Sequence, residues 1–241
     1  MAVTTHKIEK NLQRIRENVA EACQRARRHP DEVRLVAVTK SVDLDTIKNL
    51  LDAGVTELAE SRAQNLAQRA EEVTAYVNRR RTPLPAPVQW HMVGHLQRNK
   101  VKSILPVVSA IHSVDSLRLA EELQDRAEKL DQHVSVFLQV NCSQEEQKYG
   151  CAVGAAFHLG EMIASLPNLC LVGLMTMGPL TEDPNESRMA FARCHELFEE
   201  MRGERIGGDH FRHLSMGMSS DYVPAVEEGA TLLRIGTALF E

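Results

Sequence analysis

The stretch Leu35-Val36-Ala37-Val38-Thr39-Lys40 constrains the fold most. Four apolar residues run without a break, a hydroxyl follows, and a lysine ends the run. A short apolar run rich in β-branched residues reads as a strand buried on both faces, as in a parallel sheet covered by helices. Similar runs recur along the chain: 55–60, 88–93, 110–113, 134–141, 169–175, 211–215 and 231–235. Helical patterns separate them, over 43–53, 61–77, 98–105, 116–129, 154–165, a long helix ending near 202, and 221–228. Ahead of the first strand, Ile8, Leu12, Ile15, Val19 and Cys23 fall three and four apart, which predicts an extra N-terminal helix over 5–28. Eight strands alternating with helices in 241 residues predict one (β/α)8 TIM barrel, with residues 1–241 as a single domain. A doubly wound open sheet is the alternative, but Lys40-Ser41-Val42 lacks the glycine-rich loop such sheets carry after their first strand.

Composition narrows the function. The apolar fraction of 43% supports one large core, and aromatics at 4% leave little for stacking on nucleic-acid bases. A net charge of −5 points to neither a polyanion nor an acidic membrane surface as partner. No signal-peptide core or membrane-length apolar run is present, so a cytoplasmic protein is expected. The five cysteines have no CxxC spacing and read as reduced packing residues. Arg79-Arg80-Arg81 sits in a proline-rich loop and reads as a solvated tip.

Lys40 falls at the carboxyl end of the first strand, where sites on α/β folds lie. An amine over a hydrocarbon floor is expected to lose charge by burial and become a nucleophile toward carbonyls. Taken alone, the stretch reads as a solvated lysine at a strand exit, and the later motifs change that. The eighth strand ends Leu233-Arg234-Ile235-Gly236-Thr237, and the seventh opens into Ser215-Met216-Gly217-Met218-Ser219-Ser220-Asp221. Barrels hold phosphate with the loops after these two strands, and glycines, hydroxyls and N–H groups suit an anion. Arg234 is either a fixed donor or half of a salt bridge inside the barrel mouth. His91 and His95 have no third ligand at metal spacing, so no metal site is expected. Lys148 is a second amine near the site or a loop charge.

Several segments together resemble one family. They are Val36–Lys40, Trp90-His91, Gly94–Lys100, Gln139-Val140-Asn141, Lys148-Tyr149-Gly150, Gly173–Met177, Leu214–Asp221 and Arg234–Phe240. In order, from about residue 8 to the end, they resemble the pyridoxal phosphate homeostasis protein family, also called proline synthase co-transcribed homologue. That family has a barrel similar to the N-terminal domain of alanine racemase. The resemblance implies pyridoxal 5′-phosphate (PLP) as cofactor, held as a Schiff base on Lys40. It implies that Ser219, Gly236 and Thr237 hold the phosphate and that Arg234 faces the pyridine nitrogen. His91 and Asn141 would line the pocket, Met216 would belong to the cofactor-binding set, and Lys148 would be the second lysine that handles the cofactor. There are two departures. Ala59-Glu60-Ser61 stands where the family has Gly-Glu-Asn, and the chain ends at Phe240-Glu241, which is expected to loosen barrel closure.

Three functions compete. The first is a PLP-binding homeostasis protein without robust catalysis, monomeric, with apo PLP-dependent enzymes as partners. The second is a PLP-dependent amino-acid racemase. It is disfavoured because no second-base domain follows the eighth strand, and because an arginine at the ring nitrogen weakens the electron sink. The third is a class I aldolase using Lys40 without cofactor, its phosphate loops holding a sugar phosphate.

Overall fold

A computed structural model describes residues 2–143, 145, 147, 149–181 and 183–241. Its centre is a closed barrel of eight parallel strands in sequence order: β1 Arg34–Val38, β2 Glu57–Glu60, β3 Gln89–Met92, β4 Val108–Val114, β5 Val134–Gln139, β6 Leu169–Met175, β7 His213–Ser215 and β8 Leu232–Ile235. The (β/α)8 expectation is met. The strands are mostly shorter than the apolar runs, although flanking residues still bond across: the N–H groups of Thr39, Val93 and Val140 donate to the carbonyls of Ala59, Glu60 and Met175.

Helices α1 Thr5–Arg25, α2 Leu44–Asp52, α3 Ala63–Asn78, α4 Val101–Ile104, α5 Leu117–Lys129, α6 Ala156–Ala164, α7 Pro184–Gly203, α8 Tyr222–Glu227 and α9 Thr237–Phe240 surround the barrel. The helix anticipated over 98–105 begins as a 3₁₀ turn at Arg98–Lys100, and α9 is additional. No helix of the described residues is long and apolar enough to cross a membrane.

Alternation along the strands divides the core into two. Val36, Val38, Ala59, Ala110, Phe137, Met175 and Leu232 fill the barrel interior. The larger outer layer lies between sheet and helices and includes Ala37, Leu58, Trp90, Ile111, Leu174 and Ile235.

The expected loosening of barrel closure is not observed. β1 and β8 pair at four positions, from Arg34↔Leu232 to Ala37↔Ile235. The N-terminal helix covers both α8 and α9: Asn11 donates to the Leu239 carbonyl at 2.9 Å, and Asn18 donates to the Tyr222 hydroxyl at 2.6 Å. The stripe Ile8, Leu12, Ile15 and Val19, buried as its spacing predicts, supplies the apolar part of that contact.

Candidate functional site

The carboxyl ends of β1, β2, β7 and β8 frame one mouth of the barrel. Val36 and Val38 point inward, so Lys40 shares their parity at the rim, two residues beyond the last strand position. Its side chain is exposed. The hydrocarbon burial expected for Lys40 is therefore absent. A strand exit gives it a fixed root but no cover.

The loop that carries Lys40 is clamped. Arg69, from α3, donates to the Val42 carbonyl at 2.7 Å and to the Thr39 carbonyl, on either side of Lys40. The same guanidinium pairs with Glu60, which is wholly buried and also accepts from the Thr39 hydroxyl at 2.7 Å. An arginine can do this because its planar fork carries five donors in fixed geometry.

Arg234 points inward from β8, next to β1, with Val36 as its register partner. It is 4% exposed and donates to Ser215 Oγ at 2.7 Å and to the Thr176 carbonyl at 2.9 Å. Its role as a fixed donor is realised with neutral partners. Burial pulls its pKa down to about 10, which still leaves a cation at neutral pH.

Two loops meet beside it. Ser219 Oγ accepts from the N–H groups of Gly236 and Ala238, each at 3.1 Å, which ties the loop after β7 to the loop after β8. The Gly217 carbonyl accepts from the Arg234 N–H at 2.9 Å. A serine hydroxyl accepting twice retains its own O–H to donate outward, and the Thr237 side chain beside it is exposed. The chemistry of this donor set suits a phosphate monoester. A guanidinium and a primary amine stand on the two neighbouring strands.

Beneath the mouth a chain of polar side chains crosses the interior. Ser215 Oγ lies 2.7 Å from His112 Nδ1, and His112 Nε2 lies 2.9 Å from His91 Nδ1. His91 Nε2 then approaches Glu57 Oε2 at 3.6 Å. His112 stacks on Phe137 with centroids 4.2 Å apart. Desolvation holds both imidazoles neutral: His91 is lowered to about 4, and His112, fully enclosed, also falls well below its ordinary value. The chain ends at the opposite, amino-terminal end of the barrel. There Arg34, Glu57, Gln89, His91, Ser135 and His213 help to line a cavity of about 280 Å³.

A family model described as alanine racemase, N-terminal domain, matches residues 10–241. The pyridoxal phosphate homeostasis protein of Aquifex aeolicus is 36% identical over 229 residues, 95% of this chain and 95% of its own length. The chain belongs to the pyridoxal phosphate homeostasis protein family. Among solved structures, an unknown protein from Bifidobacterium adolescentis superposes with a TM-score of 0.91 at 36% identity, over 98% of this chain and 95% of that one. PipY of Synechococcus elongatus, solved with PLP bound, gives 0.81 at 29% identity, over 97% of this chain and 100% of that one.

Of the residues that the family resemblance marked, Lys40, Ser219, Arg234, Gly236 and Thr237 gather at the mouth. Two do not present their side chains there. His91 lines the cavity at the far end, because its position on β3 sets it below the rim. Met216 is wholly buried in the outer core layer, since Ser215 takes the inward parity on β7. Asn141 lies just past the carboxyl end of β5, its side chain donating to the Glu145 carbonyl at 2.9 Å and accepting from Ser143 Oγ at 3.2 Å. Lys148 lies outside the described residues.

His95 stacks on Tyr149, centroids 4.3 Å apart, while His91 faces inward, so the two histidines face different partners. Among the described residues no group of three or more His, Cys, Asp or Glu could hold a metal ion. At the family departure, Gly94 lies against Ser61. A Cβ on residue 94 would meet the Ser61 carbonyl oxygen at 2.2 Å, so glycine is required there. Arg80 of the arginine triplet pairs with Asp52 and the Tyr76 hydroxyl and is no free anion reader.

Sequence reasoning gave no role to Glu60, Arg69, His112 or Ser215, although Glu60 and Ser215 stand inside motifs it quoted. Glu60 carried a signal, a carboxylate ending a predicted strand. Arg69 carried none, because an arginine on a helix reads as solvated.

Proposed function

We propose that this barrel is one PLP-binding domain that holds the cofactor at its carboxyl-terminal mouth and serves PLP homeostasis in the cytoplasm. The observation that carries the reading is the pairing, on neighbouring strands, of an exposed amine at Lys40 with a buried guanidinium at Arg234, beside the Ser219–Gly236 tie. The relative solved with PLP bound supports it.

In this reading the Lys40 amine engages the cofactor's aldehyde. The Arg69 clamp fixes the backbone from which that amine extends. The Ser219 O–H, the Thr237 hydroxyl and the backbone beside Gly236 hold the phosphate. Arg234 donates toward the ring nitrogen, and its other hydrogen bonds, to Ser215 and Thr176, prevent it from turning away. When bound, PLP supplies an electron sink for amine chemistry. A cationic donor at the ring nitrogen keeps that nitrogen unprotonated and makes the sink shallow. The protein therefore stores and delivers the cofactor, with apo PLP-dependent enzymes as recipients, and is a poor catalyst.

The test is a visible absorption spectrum of protein loaded with PLP, then borohydride reduction and peptide mapping. Wild type carries the reduced cofactor on Lys40. Lys40→Ala loses the trapped label while the fold survives, since the side chain lies at a strand exit. A label found chiefly on another lysine overturns the assignment. Amino-acid racemisation at roughly 1 per second, an ordinary enzyme rate, overturns the storage reading in favour of a racemase.

A further inference from the structure

We propose that Glu57, at the amino-terminal end of the barrel, is a positioning residue for Arg234 and acts through the relay His91–His112–Ser215. The inference rests on Arg234 facing the cofactor, as read above. It extends the functional unit to the far end of the barrel.

The relay needs one polarity, in which Ser215 donates onward. Arg234 Nη1 can only donate, so Ser215 Oγ accepts there. In that polarity the single Ser215 hydrogen points to His112 Nδ1, 2.7 Å away; the opposite one, in which Ser215 accepts twice, puts a hydrogen on His112 Nδ1 and overturns the relay. A neutral imidazole that accepts at Nδ1 carries its hydrogen on Nε2. His112 therefore donates to His91 Nδ1 at 2.9 Å, and by the same rule His91 carries its hydrogen on Nε2. That N–H faces Glu57 Oε2 at 3.6 Å. A cation at one end and a carboxylate at the other drive every dipole between them in the same direction.

The carboxylate end is not fully satisfied. Glu57 Oε2 is buried without a hydrogen-bond partner, so a shift of about half an ångström toward His91 would bring it within bonding distance. Glu57 faces Arg34 on β1 at 3.7 Å, His91 on β3, and, across the cavity, His213 on β7. Desolvation raises its pKa, with Arg34 opposing. The charge of a group at this end, accessible from the cavity, thus sets how firmly Ser215 is polarised against Arg234.

Ring-nitrogen NMR of the protein without PLP gives the first readout. His91 and His112 should both be neutral with the hydrogen on Nε2, and Ser215→Ala should release His112 from that tautomer. PLP titration gives the second. Glu57→Gln should change the PLP dissociation constant by about fivefold or more, the low end of coupling between distant sites. It should also shift the pH profile of the bound-cofactor absorption band. Ser215→Thr, which keeps the hydroxyl, should behave as wild type. The double variant Glu57→Gln/Ser215→Ala should match Ser215→Ala alone, because the path is already cut. A hydrogen on Nδ1 of either histidine, a silent Glu57→Gln, or strictly additive effects would each overturn the relay. Wild type that fails to bind PLP would instead sink the functional reading on which it rests, while the NMR result would still decide the proton order.

Discussion

Lys40 and Arg69 meet at one short loop, and the second residue matters to the fold as well as to the site. Arg69 is the counter-charge of Glu60, which has no exposed surface. Removing one partner of a buried pair leaves an uncompensated charge, at a cost of about 3–5 kcal/mol. Arg69→Ala is expected to lower stability by that amount in urea unfolding, and adding Glu60→Gln to it should recover part of the loss. An unchanged urea midpoint would mean that the pair contributes nothing net to stability. Ser219 has a different balance. Its hydroxyl bridges two backbone N–H groups, so Ser219→Ala both loosens the tie between two loops and removes a donor to phosphate. The loss of a hydrogen bond to a charged group predicts PLP binding weaker by roughly 1.5–3 kcal/mol. Equilibrium dialysis checks this, and unchanged affinity would reduce Ser219 to a loop tie.

Between elements, β6 and β7 approach so closely that a side chain is excluded at one point. A Cβ on Gly173 would meet the His213 carbonyl oxygen at 1.7 Å, and Gly173 has φ +157°. The contact is with backbone, which cannot rotate aside, so the two strands would have to separate. That would disturb β7, which carries Ser215 and pairs with β8 at Ser215↔Leu232. Gly173→Ala is expected to cost about 1–3 kcal/mol or more, as overpacking does. Its thermal unfolding midpoint should fall further than that of Gly203→Ala, where the added Cβ meets nothing within 4 Å. Equal midpoints for the two variants would show that β6 and β7 can part without cost. Helix α1 shows the converse, a contact that stabilises by covering. Its apolar stripe and Asn11 seal the final turn, and barrel closure therefore depends on residues at both ends of the chain.

At the scale of the whole molecule, the interior contains histidines that folding keeps uncharged. His91 titrates at about 4 in the folded chain against an ordinary value of 6.5, so the unfolded chain binds more protons between these limits. Its contribution is complete above pH 6.5 and is lost as pH falls toward 4, about 3 kcal/mol over that span. His213, also lowered to about 4, acts in the same direction, while Glu57, raised by desolvation, opposes both. Urea midpoints at pH 7 and pH 5 should therefore differ, with the lower stability at pH 5, and His91→Gln should narrow the gap. A midpoint that rises on acidification to pH 5 would contradict this ordering. The sequence by itself determined a parallel sheet wrapped by helices, because eight apolar runs with helical patterns between them can bury both strand faces only in that way, and the number of strands with no glycine-rich loop after the first pointed to a barrel over an open sheet. It also determined which strand ends carry Lys40, Arg234 and Ser219, since these lie within or just after legible strands. Only the tertiary structure decided which side of the rim each residue takes. A shift of one position along a strand moves a side chain from the interior to the outer layer, as Ser215 and Met216 show. The Arg69 clamp and the Glu57–Arg234 chain join residues up to 177 positions apart, and no local pattern records a contact that exists only once the barrel has closed.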